Sequence, residues 1–194
     1  MSTQPQSFIT PEEYLAIERE ALFKSEYHQG QMFAMAGVGL IHNLLVANVL
    51  VALHQALRGR GCRVLPSNMR MRVSATGLYT YADVIALCKK PELADDHFEV
   101  LLNPELIGEV LSPSTAAYDL GRKFEHYRTI PSLTGYLLVA SDRVHVSLYT
   151  RQNGHWSLTD ASGLDAVLDL PALRCRLALA DVYENVDPPE TVLR

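Results

Sequence analysis

Two carboxylates interrupt runs that are otherwise apolar. Asp83 opens the run Asp83-Val84-Ile85-Ala86-Leu87-Cys88, and Glu109 falls inside Leu106-Ile107-Gly108-Glu109-Val110-Leu111. Both runs have the length and content of buried strands. A carboxylate in the core of a sheet is costly unless it is paired, hydrogen-bonded or bound to a cation. The fold therefore has to bring partners to both acids. Lys123, on the next predicted helix, is one candidate.

The chain of 194 residues fits one domain with a substantial core. Hydrophobic content of 48% with 20% charged residues argues against disorder. No apolar run approaches the roughly 20 residues of a membrane span. The start, Met1-Ser2-Thr3-Gln4-Pro5-Gln6, has neither the basic nor the apolar region of a secretory signal, so no leader is expected. Cys62, Cys88 and Cys175 are few, odd in number and widely spaced. That argues against a disulfide scaffold or a cysteine-based zinc site and points to a reducing, cytoplasmic context.

The formal net charge of −5 gives no global support to nucleic-acid binding. The distribution is uneven, however. No acid occurs between Asn43 and Ala82, a stretch that holds Arg58, Arg60, Arg63, Arg70 and Arg72. Such a stretch suits phosphate contact, and suits an ordinary solvated face equally well.

Local signals place the elements. Thr10-Pro11-Glu12-Glu13 reads as a capped helix start, with a helix running to about residue 23. Residues 27–35 read as a hairpin around Gln29-Gly30, and residues 41–57 as a long helix with Leu45, Val49, Ala52, Leu53 and Ala56 on one face. Residues 62–65 and 69–73 read as strands, the second with Arg70 and Arg72 on one side. Residues 79–88 read as one continuous strand and residues 106–111 as the next. Ser112-Pro113-Ser114-Thr115 supplies cap candidates for a helix over residues 116–129. Strands at 136–139, 144–149 and 156–158 follow, the last two joined at Asn153-Gly154. Residues 168–170, 177–179 and a helical turn near Tyr183 complete the pattern. The order predicts a single α/β domain over residues 7–187, a central mixed sheet flanked by helices, with flexible termini at 1–6 and 188–194.

Hydrolysis of a phosphodiester needs a hydroxide and charge stabilisation at phosphorus. Mg²⁺ is held by one or two carboxylates together with waters and phosphate oxygens, and it acidifies bound water. Asp83 and Glu109 suit that role if their strands are adjacent. Lys123 lies one loop and two helical turns beyond Glu109, close enough in sequence to return to it and orient a water. Glu26, in the first hairpin, is a further acid. The bland readings are a cap or an arginine pair for Asp83, and an exposed i, i+4 pair with Asp119 for Lys123. Tyr127 is expected in the core.

Several strings together resemble a known family. They are Glu26-Tyr27 with Gly30, Ala34-Met35-Ala36-Gly37 followed by His42, and Met69-Arg70. Tyr81-Ala82-Asp83-Val84-Ile85 follows, then Asn103-Pro104 through Glu109-Val110-Leu111-Ser112-Pro113-Ser114-Thr115. Asp119 through Lys123 and Tyr127, Ile130-Pro131-Ser132-Leu133 and Tyr136-Leu137-Leu138-Val139 complete the set. Nearly full-length, this pattern is similar to the Uma-type restriction endonuclease family of bacteria, within the PD-(D/E)-x-K nuclease-like superfamily. The resemblance implies a restriction-endonuclease-like fold and a site of Asp83, Glu109 and Lys123 that uses Mg²⁺ or Mn²⁺. It implies nucleic acid, DNA first, as the substrate. Glu26 aligns with a family acid and His42 with a family histidine. Arg70 and Arg72 are candidate DNA contacts. Position 82 is Ala where the motif has Pro, and position 111 is Leu where the wider superfamily has its lysine, so the lysine is expected from the helix. The same residues admit a nuclease for RNA, or a binding module that keeps the acids as a structural network. A homodimer suits cleavage of two strands. No membrane partner is expected.

Overall fold

The computed structural model describes residues 8–94, 97, 99–112 and 115–187. The expected flexible termini and the Pro113-Ser114 pair of the motif lie outside the described residues.

Helix α1 (Pro11–Glu20) begins as its sequence dictates: the Thr10 hydroxyl accepts from the Glu13 amide, and the Glu13 carboxylate accepts from the Thr10 amide at 2.7 Å. It buries Tyr14 and Glu18 and stops short of residue 23, because Leu22 and Phe23 are exposed and nothing packs against a further turn. Strands β1 (Ser25–His28) and β2 (Gln31–Ala34) form the expected hairpin. Gln29 and Gly30 take φ of 50° and 83°, the left-handed pair that a two-residue hairpin turn requires. Helix α2 (Leu40–Ala56) buries Leu45, Val49, Ala52 and Leu53.

Strands β3 (Arg63–Pro66), β4 (Arg70–Val73), β5 (Leu78–Tyr81), β6 (Val84–Leu87), β7 (Val100–Leu101) and β8 (Leu106–Leu111) come next. After them the chain forms a helix with a changed pitch at its centre: α3 (Ala116–Tyr118), a π-helical turn (Asp119–Lys123) and α4 (Phe124–Tyr127). Strands β9 (Gly135–Ala140), β10 (His145–Gln152) and β11 (His155–Ser162) follow, then the hairpin β12 (Val167–Leu170) and β13 (Cys175–Ala178), and helix α5 (Leu179–Val182).

The fold is mixed α/β, with the strands divided between two large sheets. One has the order β2-β1-β5-β4-β7, the other β11-β10-β9-β8-β6-β3. Each contains one parallel pair, β4 with β7 and β8 with β9. The single strand expected over residues 79–88 is thus two strands. Strand β5 pairs with β1 and β4, whereas β6 pairs with β3 and β8. The chain changes sheets at Ala82-Asp83. An unbroken apolar run reports burial on both sides of this step and carries no mark of the change in partners.

The six-stranded sheet separates two cores. On one face, Val84, Ala86, Leu106 and Val110 pack with α2, the β12–β13 hairpin and α5. On the other, Ile85, Leu87, Ile107 and Leu138 pack with Met71, Tyr127 and Tyr136. The period of two along each strand puts Asp83 with Ile85, and Glu109 with Ile107, on this second face.

One expectation about the cysteines is corrected. Cys62 and Cys88 form a disulfide, and Cys175 is free. The two are 26 residues apart in sequence, but the β3–β6 register Arg63↔Leu87 carries the next pair, Cys62 and Cys88, opposite each other. Sequence spacing alone hides this cross-strand neighbourhood. Among the described residues, no helix is long and apolar enough to cross a membrane.

Candidate active site

Strand pairing brings the two opening acids together. Val84 is opposite Gly108 in the β6–β8 ladder, so the next position sets Asp83 against Glu109 on the same face. Like charges directly opposite repel, and each needs its own partners. The Asp83 carboxylate accepts from the Val110 amide at 2.8 Å, and the same oxygen lies 3.1 Å from His42 Nε2 near the start of α2. Glu109 Oε1 accepts from the Tyr127 hydroxyl at 2.9 Å and lies 2.9 Å from Lys123 Nζ. Glu109 Oε2 accepts a long bond, 3.4 Å, from the Asp83 amide.

The lysine arrives through the π-helical turn. A turn wider than α brings residues i and i+4 nearly into line, and such turns recur at functional sites. Here it buries Asp119 and Lys123 together, with 3.5 Å between Asp119 Oδ1 and Lys123 Nζ. Glu26 approaches from β1, its Oε1 3.8 Å from Lys123 Nζ. Thr80 donates to that oxygen, and the Tyr118 hydroxyl donates to Glu26 Oε2 at 3.2 Å.

The charge count is unequal: Asp83, Glu109, Asp119 and Glu26 face Lys123 and His42. Glu109 is only 4% exposed. Burial pushes its carboxyl up to about 8; Lys123 pulls it back, while Asp83 and Asp119 push it further. Burial also raises Asp119, against the pull of Lys123. Burial alone would lower the Lys123 ammonium, but Glu109, Glu26 and Asp119 outweigh it and hold the group well above its usual value. Burial and then Glu109 raise the Tyr127 phenol, so it stays a neutral donor.

The residues fit a hard divalent cation. Asp83 and Glu109 sit opposite each other across two strands, and the acids around Lys123 outnumber the nearby bases. Among the described residues no three acidic, histidine or cysteine side chains form a ready-made cage. Mg²⁺ and Mn²⁺ do not need one, since water and phosphate oxygens complete their shells.

Asp83, Glu109, Lys123, Glu26 and His42, all singled out from the sequence, meet in this one cluster. Arg70 and Arg72 do not join it. Arg70 is buried and donates from Nε to the Tyr81 hydroxyl at 2.8 Å, and Arg72 lies over the Tyr79 ring. Two members escaped the sequence reading. Asp119 looks like a surface i, i+4 partner, and only the π-helical turn buries it. Tyr127 is expected in the core, and the core holds it, but nothing in the sequence marks its hydroxyl as a partner of Glu109.

The sheet order and the acid–lysine cluster define a mixed α/β domain with an acid-rich centre where the chain passes between two sheets. A solved structure shares this fold: the crystal structure described as that of a "putative nuclease belonging to DUF820" from Anabaena variabilis matches with a TM-score of 0.72 at 18% identity, over 90% of this chain and 97% of that one. The sequence matches the Uma2 family, described as "Putative restriction endonuclease", over residues 11–180, and the chain belongs to that family. Two relatives from Synechocystis sp. extend the likeness. Uncharacterized protein sll1609 is 34% identical over 86% of this chain and 94% of its own length, and uncharacterized protein slr1290 is 33% identical over 92% and 93%.

Proposed function

We propose that this protein is a metal-dependent endonuclease that hydrolyses phosphodiester bonds of DNA. The observation that carries the reading is the cross-strand pair of half-buried Asp83 and buried Glu109, with Lys123 Nζ 2.9 Å from Glu109 and more acid around it than base. Asp83 and Glu109 would hold Mg²⁺ or Mn²⁺. When bound, that ion supplies a water of lowered pKa and offsets charge developing at phosphorus.

The protein's own residues do the rest. The Val110 amide and His42 fix the Asp83 carboxylate, and Tyr127 fixes one oxygen of Glu109. Lys123 remains an ammonium at neutral pH. It can donate to an attacking water or to a phosphate oxygen once a cation takes over part of its role beside Glu109. Glu26 and Asp119 keep it pointed into the cluster. Membership of a family described as restriction endonucleases supports the reaction class.

The test is nicking of supercoiled plasmid in Mg²⁺ or Mn²⁺. Wild type should nick, and Glu109→Gln should lose about 10²-fold or more of the rate. Equal rates for wild type and Glu109→Gln in both metals would remove DNA hydrolysis at this site.

A further inference from the structure

A cleft of about 690 Å³ opens beside the acid cluster, and Glu26 is shared between the two. Its walls differ in chemistry from the cluster. Arg122 is exposed, with no ion-pair partner among the described residues. The His126 ring meets the His28 ring edge to face at 4.8 Å, and the buried His126 Nδ1 has no hydrogen-bond partner among the described residues. Phe33 and Tyr118 add aromatic surface that is 49% and 38% exposed. On a chain of net charge −5, an arginine, two imidazoles and three accessible rings, those of Phe8, Phe33 and Tyr118, thus gather next to the site.

The exposed features match parts of an unpaired nucleotide. A guanidinium pairs with a phosphate, and aromatic faces stack bases of any sequence. The volume lies in the range that encloses one small ligand. A double helix offers no free base face to such a cleft, because its bases are stacked and paired. Resting on the nuclease reading above, we infer that this cleft binds an unpaired nucleotide next to the scissile phosphodiester, so that the preferred substrate is a single strand or a single-stranded segment. Arg122 holds the neighbouring phosphate, and Phe33 and Tyr118 hold the base.

The test is fluorescence anisotropy with a labelled oligothymidylate of about twelve nucleotides, and with a duplex of equal length, in EDTA so that nothing is cut. Wild type should bind the single strand more tightly. Phe33→Ala should weaken that binding about tenfold. Arg122→Ala should weaken it and reduce the dependence of log affinity on log salt by about one. Arg58→Ala, a charge control on an exposed arginine outside the cleft, should do neither. Both substituted cleft residues are exposed, so these variants should fold. Absence of single-strand binding by wild type, equal binding of duplex, or cleft variants that bind like wild type would each overturn the assignment. The two readings separate cleanly. Cleft-dependent binding without metal-dependent cutting of either plasmid or oligothymidylate keeps the cleft and removes the nuclease, whereas cutting with unaltered cleft variants keeps the nuclease and removes the cleft.

Discussion

Two ionic networks among the described residues, one around Arg70 and one around Lys123, differ in charge balance. Around Arg70 acids and bases are matched: Glu18 meets Arg70 through a phenol, and Glu99 lies between Arg70 and Arg19. Glu18 Oε1 accepts from the Tyr81 hydroxyl at 2.9 Å and from the Ser25 amide at 2.8 Å, Arg70 donates to the same hydroxyl, and its guanidinium lies over the Tyr14 and Tyr81 rings. Around Lys123, four carboxylates face one ammonium and one imidazole. The first network ties α1 and β1 to β4 and β5. The second is an arrangement that folding alone does not favour, since unmatched buried charge costs free energy. Imbalance, more than burial, separates the site from the scaffold.

That contrast can be broken by substitution. The largest effect is expected for Lys123→Met. It removes the cation from among Glu109, Asp119 and Glu26, and metal-free stability in urea should fall by about 3–5 kcal/mol. Added Mg²⁺ should restore part of it, because a second cation can serve the same acids. Glu18→Ala should cost roughly 2–3 kcal/mol through its lost charged hydrogen bonds, yet leave the stabilisation by Mg²⁺ unchanged. If Mg²⁺ rescues both variants equally, the distinction between the networks fails.

His42→Ala tests positioning. The histidine acts through Asp83, 3.1 Å away, so metal affinity should drop about 10- to 100-fold with little change in the circular dichroism spectrum. Undiminished metal affinity would reduce His42 to a packing residue.

The same cluster sets a dependence on pH. Glu109 is raised to about 8 in the folded chain from an ordinary 4.5, so between those values the folded state holds a proton that the unfolded state releases. Its contribution favours folding fully below the unfolded value and is lost as pH rises through about 8. Metal-free wild type should therefore lose stability between about pH 4.5 and about pH 8, and Glu109→Gln should flatten that slope. Thermal melts across this range, with and without Mg²⁺, would show whether the proton and the cation compete for one carboxylate.

Much of the scaffold was legible before any coordinates. The Thr10–Glu13 capping box, the apolar face of α2, the Gln29-Gly30 and Asn153-Gly154 turns and the bounds of β8 all follow from local chemistry. Local chemistry is silent on partners. It could not show that the run through Asp83 changes sheets, that Cys62 and Cys88 are cross-strand neighbours, or that a π-helical turn buries Asp119 with Lys123. The two strand acids stood out because their neighbours are apolar. Glu26 and His42, on more ordinary segments, were marked chiefly by the family resemblance, and the cleft residues Arg122 and His126 had no signal at all.

The central claim is that the unbalanced cluster is a divalent-cation site, and calorimetric titration of Mn²⁺ into the metal-free protein tests it most directly. The account predicts binding by wild type that is lost or strongly weakened in both Asp83→Asn and Glu109→Gln, and retained in Arg70→Met. Absence of binding by wild type, or equal binding in all four proteins, would contradict it.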